Sequence, residues 1–279
     1  MIASSRDSNS EPEAANAAHG SGSKASAPDA YMSWSRVRAY LHCPKAFEFQ
    51  YVFGFEPEFT APNLAIGLAV HRVAEIALDR LMQGVSPMNQ RDVGDLVGEE
   101  FSKCRWSDAG KTQSNFEIAV RCGISLVGEL PSVVAGEILA IEESFKTVIW
   151  PGLPPVVGRI DLATRNEAGL VLTDFKTTRS AWSEVDVRLH GGQLALYAKL
   201  ASGVLAPSDH ALRLQFVTVS KGKQPVVAVH EVKDPERWTT PIRLQFEQVV
   251  RGIEAGVFPA RPDRHCLTCA FRARCPHAI

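Results

Sequence analysis

Long apolar runs are missing from this chain: no stretch of its 279 residues approaches the ~20 consecutive apolar side chains of a membrane-spanning helix. The N-terminus also lacks the apolar run of a secretory signal and is small, polar and Ser/Ala-rich instead. The cytoplasm is the expected location. Charge of one sign is lacking too, since 30 Lys and Arg face 31 Asp and Glu for a formal net charge of -1. That balance argues against a protein that coats nucleic acid through a global positive excess, but it leaves room for a local basic patch. No G-x-x-x-x-G-K-[ST] sequence occurs, so the chain carries no P-loop motor of its own. No internal repeat is visible. Cysteine is sparse, and six thiols in a cytoplasmic chain point to metal ligation or burial rather than to disulfides.

What is present suffices for a folded protein. A hydrophobic content of 45% can bury a sizeable core, in one large domain or two small ones. Residues 1–29 carry almost no large apolar side chains and read as a disordered tail, leaving 30–279 as the domain. A helix opens at Ser33 or Ser35, either of which can cap it, with Val37, Tyr40 and Leu41 at helical spacing. Residues 67–78 form a second helix ending near Gly84. The polar segment 86–115 is a mixture of helix and loop, and the helix over 116–130 stops at Pro131. Strands are predicted over 138–148, 156–164, 170–177, 212–219 and 226–232, with helices over 193–201 and 240–255. Helices flanking a central mixed sheet make an α/β domain.

The chemistry concentrates on one hairpin. Val156-Val157-Gly158-Arg159-Ile160-Asp161 and Leu172-Thr173-Asp174-Phe175-Lys176 flank the turn Asn166-Glu167-Ala168-Gly169. Without a bulge, positions equidistant from the turn pair, which sets Asp161 opposite Asp174 with Cβ atoms ~5 Å apart. Lys176, two residues on, shares the face of Asp174. Two opposed carboxylates repel unless a positive charge lies between them, and a hard divalent cation such as Mg²⁺ suits oxygen ligands. Lys176 could then orient water or neutralise charge in phosphodiester hydrolysis. The competing reading is a solvated hairpin held by an Asp–Lys pair; the strongly apolar neighbours favour the metal.

Gly158-Arg159-Ile160-Asp161 followed by Asp174-Phe175-Lys176-Thr177 resembles the PD-(D/E)XK nuclease superfamily, and in particular its RecB-type exonuclease domain. The resemblance implies a restriction-endonuclease-like fold and further site residues in the same order. His71, in Gly67-Leu68-Ala69-Val70-His71, matches the family's metal-binding histidine, and Glu75 lies one helical turn on. The metal set implied is His71, Asp161, Asp174 and the backbone carbonyl of Phe175, holding Mg²⁺ or Mn²⁺. An acidic residue of the preceding strand belongs to the pattern, and sequence does not separate Glu142 from Glu143. Gln193-Leu194-Ala195-Leu196-Tyr197 matches the family's Q-x-x-x-Y helix, which would place Gln193 and Tyr197 beside Lys176.

Cys266, Cys269 and Cys275 crowd three thiols into the C-terminal segment 257–279, one short of a tetrahedral set. With Cys43 as the fourth, the arrangement resembles iron–sulfur nucleases of the AddB and CRISPR-adaptation types. That resemblance implies a [4Fe-4S] cluster joining the N- and C-terminal segments. Such a link closes a loop of more than 200 residues, where closure removes the most chain entropy. Structural zinc is the alternative, with His265 or His277 as a further ligand source. Cys104 and Cys122 fit no such pattern and read as buried thiols. Arg36 and Lys45 near the first helix, with Arg272 and Arg274 at the end, could form one basic surface for DNA, or be ordinary solvated charge.

The resemblance spans about residues 31–279. It implies a metal-dependent deoxyribonuclease, an exonuclease acting on DNA ends or single strands in repair, phage or CRISPR-adaptation settings. Unwinding would fall to a helicase or recombination partner. A non-catalytic iron–sulfur DNA-binding subunit is the alternative, and a degenerate Asp161, Asp174 or Lys176 would have favoured it; all three are intact.

Overall fold

The computed structural model describes residues 31–134, 136–201 and 211–279, and the tail expected over residues 1–29 lies outside them. Helix α1 (Trp34–His42) is capped by Ser33, whose hydroxyl accepts the Arg36 N–H at 3.2 Å. Helix α2 (Pro44–Phe47) follows at once and runs into a π-helical turn over Glu48–Val52. Helix α3 (Pro62–Met82) starts earlier than its apolar pattern suggests, because Pro62 sits in the first turn where its missing N–H costs nothing. The polar segment that follows contains α4 (Gln90–Ser102), set by a reciprocal capping box between Asn89 and Asp92.

Helix α5 (Thr112–Val133) does not stop at Pro131 as expected. The proline falls in the last turn, where only one backbone bond is forfeited before the helix ends anyway. Helix α6 (Glu184–Ala201) likewise begins well before Gln193. It runs through Gly191 and Gly192, poor helix formers whose bare faces admit the rings of Trp238 and Trp34. Helix α7 (Thr239–Glu254) agrees with its amphipathic pattern.

Six strands form one mixed sheet: β1 (Met32–Ser33), β2 (Glu137–Thr147), β3 (Val156–Asn166), β4 (Gly169–Thr178), β5 (Leu212–Ser220) and β6 (Val227–Glu231). The order is β1-β3-β4-β5-β6, with β2 antiparallel along the other edge of β3. Strands β4 and β5 are parallel and α6 lies in the connection between them. Helices α3, α4 and α5 bury Ile66, Val70, Val97 and Leu126 against Leu162, Phe175 and Val217. On the opposite face Val37, Leu194, Leu196 and Phe246 pack against Ile160, Leu172 and Phe216. Burial on both faces explains why β3, β4 and β5 read as apolar runs.

The hairpin register is the one counted from the turn, pairing Asn166 with Gly169 and continuing to Leu162 with Thr173. There the β3–β4 ladder ends, one pair short of Asp161 and Asp174, so the direct pairing expected of these two carboxylates does not form, and Asp161 accepts the Phe175 N–H instead. Since β2 occupies the whole other edge of β3, β1 must pair in parallel on the edge β4 has left, at Val156 and Val157. Between β4 and β1, residues 158–161 of β3 thus lack a strand partner on that side. Close packing holds α6 over this gap. A Cβ on Gly158 would fall inside van der Waals contact of Leu200 Cδ1 and 2.9 Å from Tyr197 Cε1. Gly158→Ala is therefore expected to push α6 outward and destabilise the fold by about 1–3 kcal/mol. Thermal denaturation followed by circular dichroism should show a melting temperature several degrees lower; an unchanged melt would refute the close-packing argument.

Candidate active site

The gap between β3 and β4 is where the polar residues meet. In a continued antiparallel ladder, the N–H and C=O of Phe175 would bond to β3. Instead the Phe175 N–H donates to Asp161 Oδ2 at 2.8 Å, and the Phe175 carbonyl accepts from His71 Nε2 at 2.8 Å. The buried backbone is thereby satisfied by two functional side chains in place of a strand. A carbonyl only accepts, so His71 carries its proton on Nε2 in this contact, and its Nδ1 faces two carboxylates. Nδ1 lies 3.4 Å from Asp161 Oδ2 and 3.6 Å from Glu142 Oε1.

Glu142 reaches this point through a distorted strand. Its φ of 50° is left-handed, a costly conformation for a non-glycine residue, and the β2–β3 ladder skips it while pairing its neighbours Ile141 and Glu143. The distortion separates the two candidates that sequence leaves open: the Glu142 side chain is turned to His71 and Asp161, whereas Glu143 is exposed. No sequence signal marks the backbone distortion, so only the structure could assign it. Arg159, on the stretch of β3 that lacks a strand partner on the β4 side, holds Glu142 Oε2 at 2.7 Å. Glu75 is committed to Arg72 at 2.8 Å.

Asp174, Lys176, Gln193 and Tyr197 form the other half of the site. Asp174 is 2% exposed, with Oδ2 at 2.5 Å from Lys176 Nζ. The Gln193 amide donates to Asp174 Oδ1 at 2.9 Å and to the Tyr197 hydroxyl oxygen at 3.0 Å. Gln193 and Tyr197 share a face of α6, one turn apart. Burial, and then the Asp174 charge, push the Tyr197 phenol well above its ordinary pKa, so it stays a neutral hydroxyl.

The electrostatics are those of a cation site. Burial first, and then the neighbouring Asp174 charge, raise the Asp161 pKa to about 7. Burial would lower that of His71, but Asp161, Glu142 and Asp174 together outweigh it and raise it to about 9. Three carboxylates are thus gathered where two of them are almost wholly buried. His71, Glu142 and Asp161 are the group of His, Cys, Asp and Glu side chains among the described residues whose ligand atoms all lie within 4.8 Å. Asp174 Oδ2 and Glu142 Oε2 are buried with ion-pair neighbours but no directed hydrogen bond. Oxygen donors left over beside an imidazole fit a hard divalent cation.

The cysteines of the N- and C-terminal segments also meet. Cys43, between α1 and α2, lines one cavity with Cys266, Cys269 and Cys275, and all four are free thiols. His265 and His277 line the same cavity. The segment is tied to the N-terminal helices by several contacts. Tyr40 Oη donates to the Val257 carbonyl at 2.5 Å, Arg261 donates to the Leu41 carbonyl, and the Glu58 N–H donates to the Ala270 carbonyl at 3.0 Å. Cys122 is fully buried with its thiol pushed up to about 11 by burial, and Cys104 is raised by partial burial. Of the basic residues expected to face DNA, Arg272 and Arg274 are exposed, the latter over the Phe55 ring at 4.9 Å. Arg36 instead lies against the rings of Tyr31 and Tyr51, and Lys45 is paired with Glu48 at 2.5 Å.

Among the described residues no helix is long and apolar enough to cross a membrane. No curated protein sequence matches the chain. Solved structures do. One is the crystal structure of a protein from Eubacterium rectale described as a "putative exonuclease", 12% identical, with a TM-score of 0.55 over 88% of this chain and 87% of that one. Another is that of SSO0001, 13% identical, with a TM-score of 0.44 over 90% and 88%. The first of these shows a shared fold. The family model for the PD-(D/E)XK nuclease superfamily matches residues 31–276, nearly the whole described chain. The chain therefore belongs to the PD-(D/E)XK nuclease superfamily.

Proposed function

We propose that this protein is a divalent-cation-dependent deoxyribonuclease, an exonuclease acting on DNA ends or single strands. The observation that carries the reading is the set of buried carboxylates at the parting of β3 and β4, with His71 and Lys176 beside them. The likeness of the ordered motifs to RecB-type domains supports exonuclease action. Any unwinding of duplex DNA would come from a helicase or recombination protein acting with it.

His71, Glu142, Asp161 and Asp174 would hold Mg²⁺ or Mn²⁺, together with the Phe175 carbonyl, whose second lone pair remains after it accepts from His71. When bound, the cation supplies Lewis-acid stabilisation of the scissile phosphodiester and acidifies water. The chain supplies positioning and charge. The Phe175 N–H pins Asp161, and Gln193 fixes Asp174 while steadying the Tyr197 hydroxyl. Lys176 Nζ lies beside Asp174, within reach of a phosphate drawn to the same place. Asp161→Asn and Lys176→Ala are each expected to lower kcat on labelled DNA about 100-fold or more with the fold retained. EDTA should abolish cleavage. Full activity of either variant would sink the reading.

The raised His71 pKa gives a pH dependence of known sign. A metal needs the neutral imidazole, whereas the cation-free site keeps His71 protonated up to about pH 9. Cation uptake should thus release a proton, and affinity should strengthen as pH rises from about 7 to 9. Titration calorimetry in two buffers of different ionisation enthalpy measures the proton directly. Uptake with no proton release at pH 7.5 would remove His71 from the ligand set.

For the cysteine cavity we propose a [4Fe-4S] cluster held by Cys43, Cys266, Cys269 and Cys275. All four free thiols line one cavity between the N-terminal helices and the C-terminal segment, and their one-plus-three spacing resembles that of the iron–sulfur nucleases. Anaerobically purified protein should be brown and contain about four iron atoms per chain. A colourless protein containing zinc would overturn the assignment.

A further inference from the structure

The sheet row that contains Asp174 continues beyond the site. Asp174 partners Phe216 across the β4–β5 ladder, and Phe216 partners His230 across the β5–β6 ladder. Register partners share a face, so at ~4.8 Å per strand His230 lies about 10 Å from Asp174 on the side covered by α6. A second measure agrees. Arg188 precedes Gln193, the partner of Asp174, by five residues on α6, which is about 7.5 Å along the helix axis.

At that distance the structure opens a cavity of about 510 Å³, within the ~300–1,000 Å³ range of small-ligand sites. Its walls include Trp182, His230, Arg188, Lys233, Arg237 and Trp238. The half-buried Trp182 ring is fixed by Phe216 at 5.2 Å, His190 at 4.5 Å and His230 at 6.0 Å between centroids. Trp238 is held under α6, and Arg237 lies 5.6 Å from its ring centroid. Glu184, Glu231 and Asp234 also line the cavity and balance its three cations, so it is not a simple phosphate trap. What sets it apart is two fixed indole rings on the substrate side of the sheet. Aromatic faces of this kind stack on any unpaired base.

We propose that this cavity is a base-stacking subsite for a single DNA strand, taking the nucleobase one or two nucleotides from the scissile phosphate. The proposal rests on the deoxyribonuclease reading above. Trp182 forms the stacking platform, and Lys233 and Arg237, which have no ion pair among the described residues, receive the adjoining phosphate. A duplex cannot offer a base in this way without unpairing, so the subsite selects single strands or frayed ends.

The test pairs protein variants with oligonucleotides carrying one abasic position, moved stepwise along the strand. Cleavage is measured with Mg²⁺, and binding by fluorescence anisotropy with Ca²⁺ in its place. In the wild type a single abasic position near the cut should weaken binding about tenfold. Trp182→Leu, which stays apolar but loses the aromatic face, should weaken binding of intact DNA by a similar factor and lose nothing further on that abasic strand. Trp182→Phe should restore most of the affinity. If the two losses multiply, if no abasic position matters, or if Trp182→Leu binds like the wild type, the subsite is refuted. Should Trp182→Leu fail to fold, the abasic scan of the wild type decides alone: one sensitive position near the cut supports the subsite, and none refutes it. Binding with the single sensitive position but no cleavage under any cation would retain the subsite and reject the nuclease reading; neither binding nor cleavage would reject both.

Discussion

The parting of β4 from β3 after Leu162 and Thr173 is the constraint on which the site depends. A buried strand cannot simply leave its neighbour, because every released N–H and C=O must find another partner. Phe175 finds two, the Asp161 carboxylate and the His71 imidazole. The same groups that could grip a cation are therefore those that make the separation of the strands tolerable. The left-handed Glu142 on β2 and the short parallel β1 lie around the same opening. Away from the opening the β4–β5 ladder runs without a break between two helical layers, and β2 carries one further register shift between Ile138 and Ala140.

Burial gives the site its electrostatic character. Asp161 and Asp174 are nearly inaccessible, and Lys176, His71 and Arg159 stand close to the three carboxylates. Without a cation the balance is struck with protons, as the raised pKa values of Asp161 and His71 show. A divalent ion held by His71, Glu142, Asp161 and Asp174 would replace those protons with a fixed charge. Gln193 and Tyr197 act on this arrangement from the opposite side, through neutral hydrogen bonds that do not disturb its charge.

Much of this was legible in the residues. The turn at Asn166–Gly169 sets the hairpin register, and alternation with apolar neighbours marks Asp161 and Asp174 as anomalous. The α/β class followed from periodicity, as did most strand limits. What stayed hidden depends on contacts between distant segments. Gly191 and Gly192 weaken the local helix signal, and only Trp34 and Trp238, far away in sequence, explain why α6 continues through them. Pro131 is placed late enough in α5 to be harmless, which no local rule reveals. Glu142 and Glu143 have the same chemistry, and a single backbone angle separates them. Arg36 reads as a free cation until the rings of Tyr31 and Tyr51 close on it.

The seam between the first described helices and residues 257–275 bears on how the protein is made. Strand β1 at Met32–Ser33 must wait for Val156 and Val157, and the cavity beside Cys43 must wait for Cys275, so the earliest described residues are among the last to be settled. During synthesis every residue of the candidate catalytic centre, through Tyr197, leaves the ribosome before the segment that fastens α1 in place. A growing chain thus holds its reactive carboxylates well before it holds its final shape. Fastening α1 through residues 257–275 makes the emergence of that segment a condition for completing the described fold.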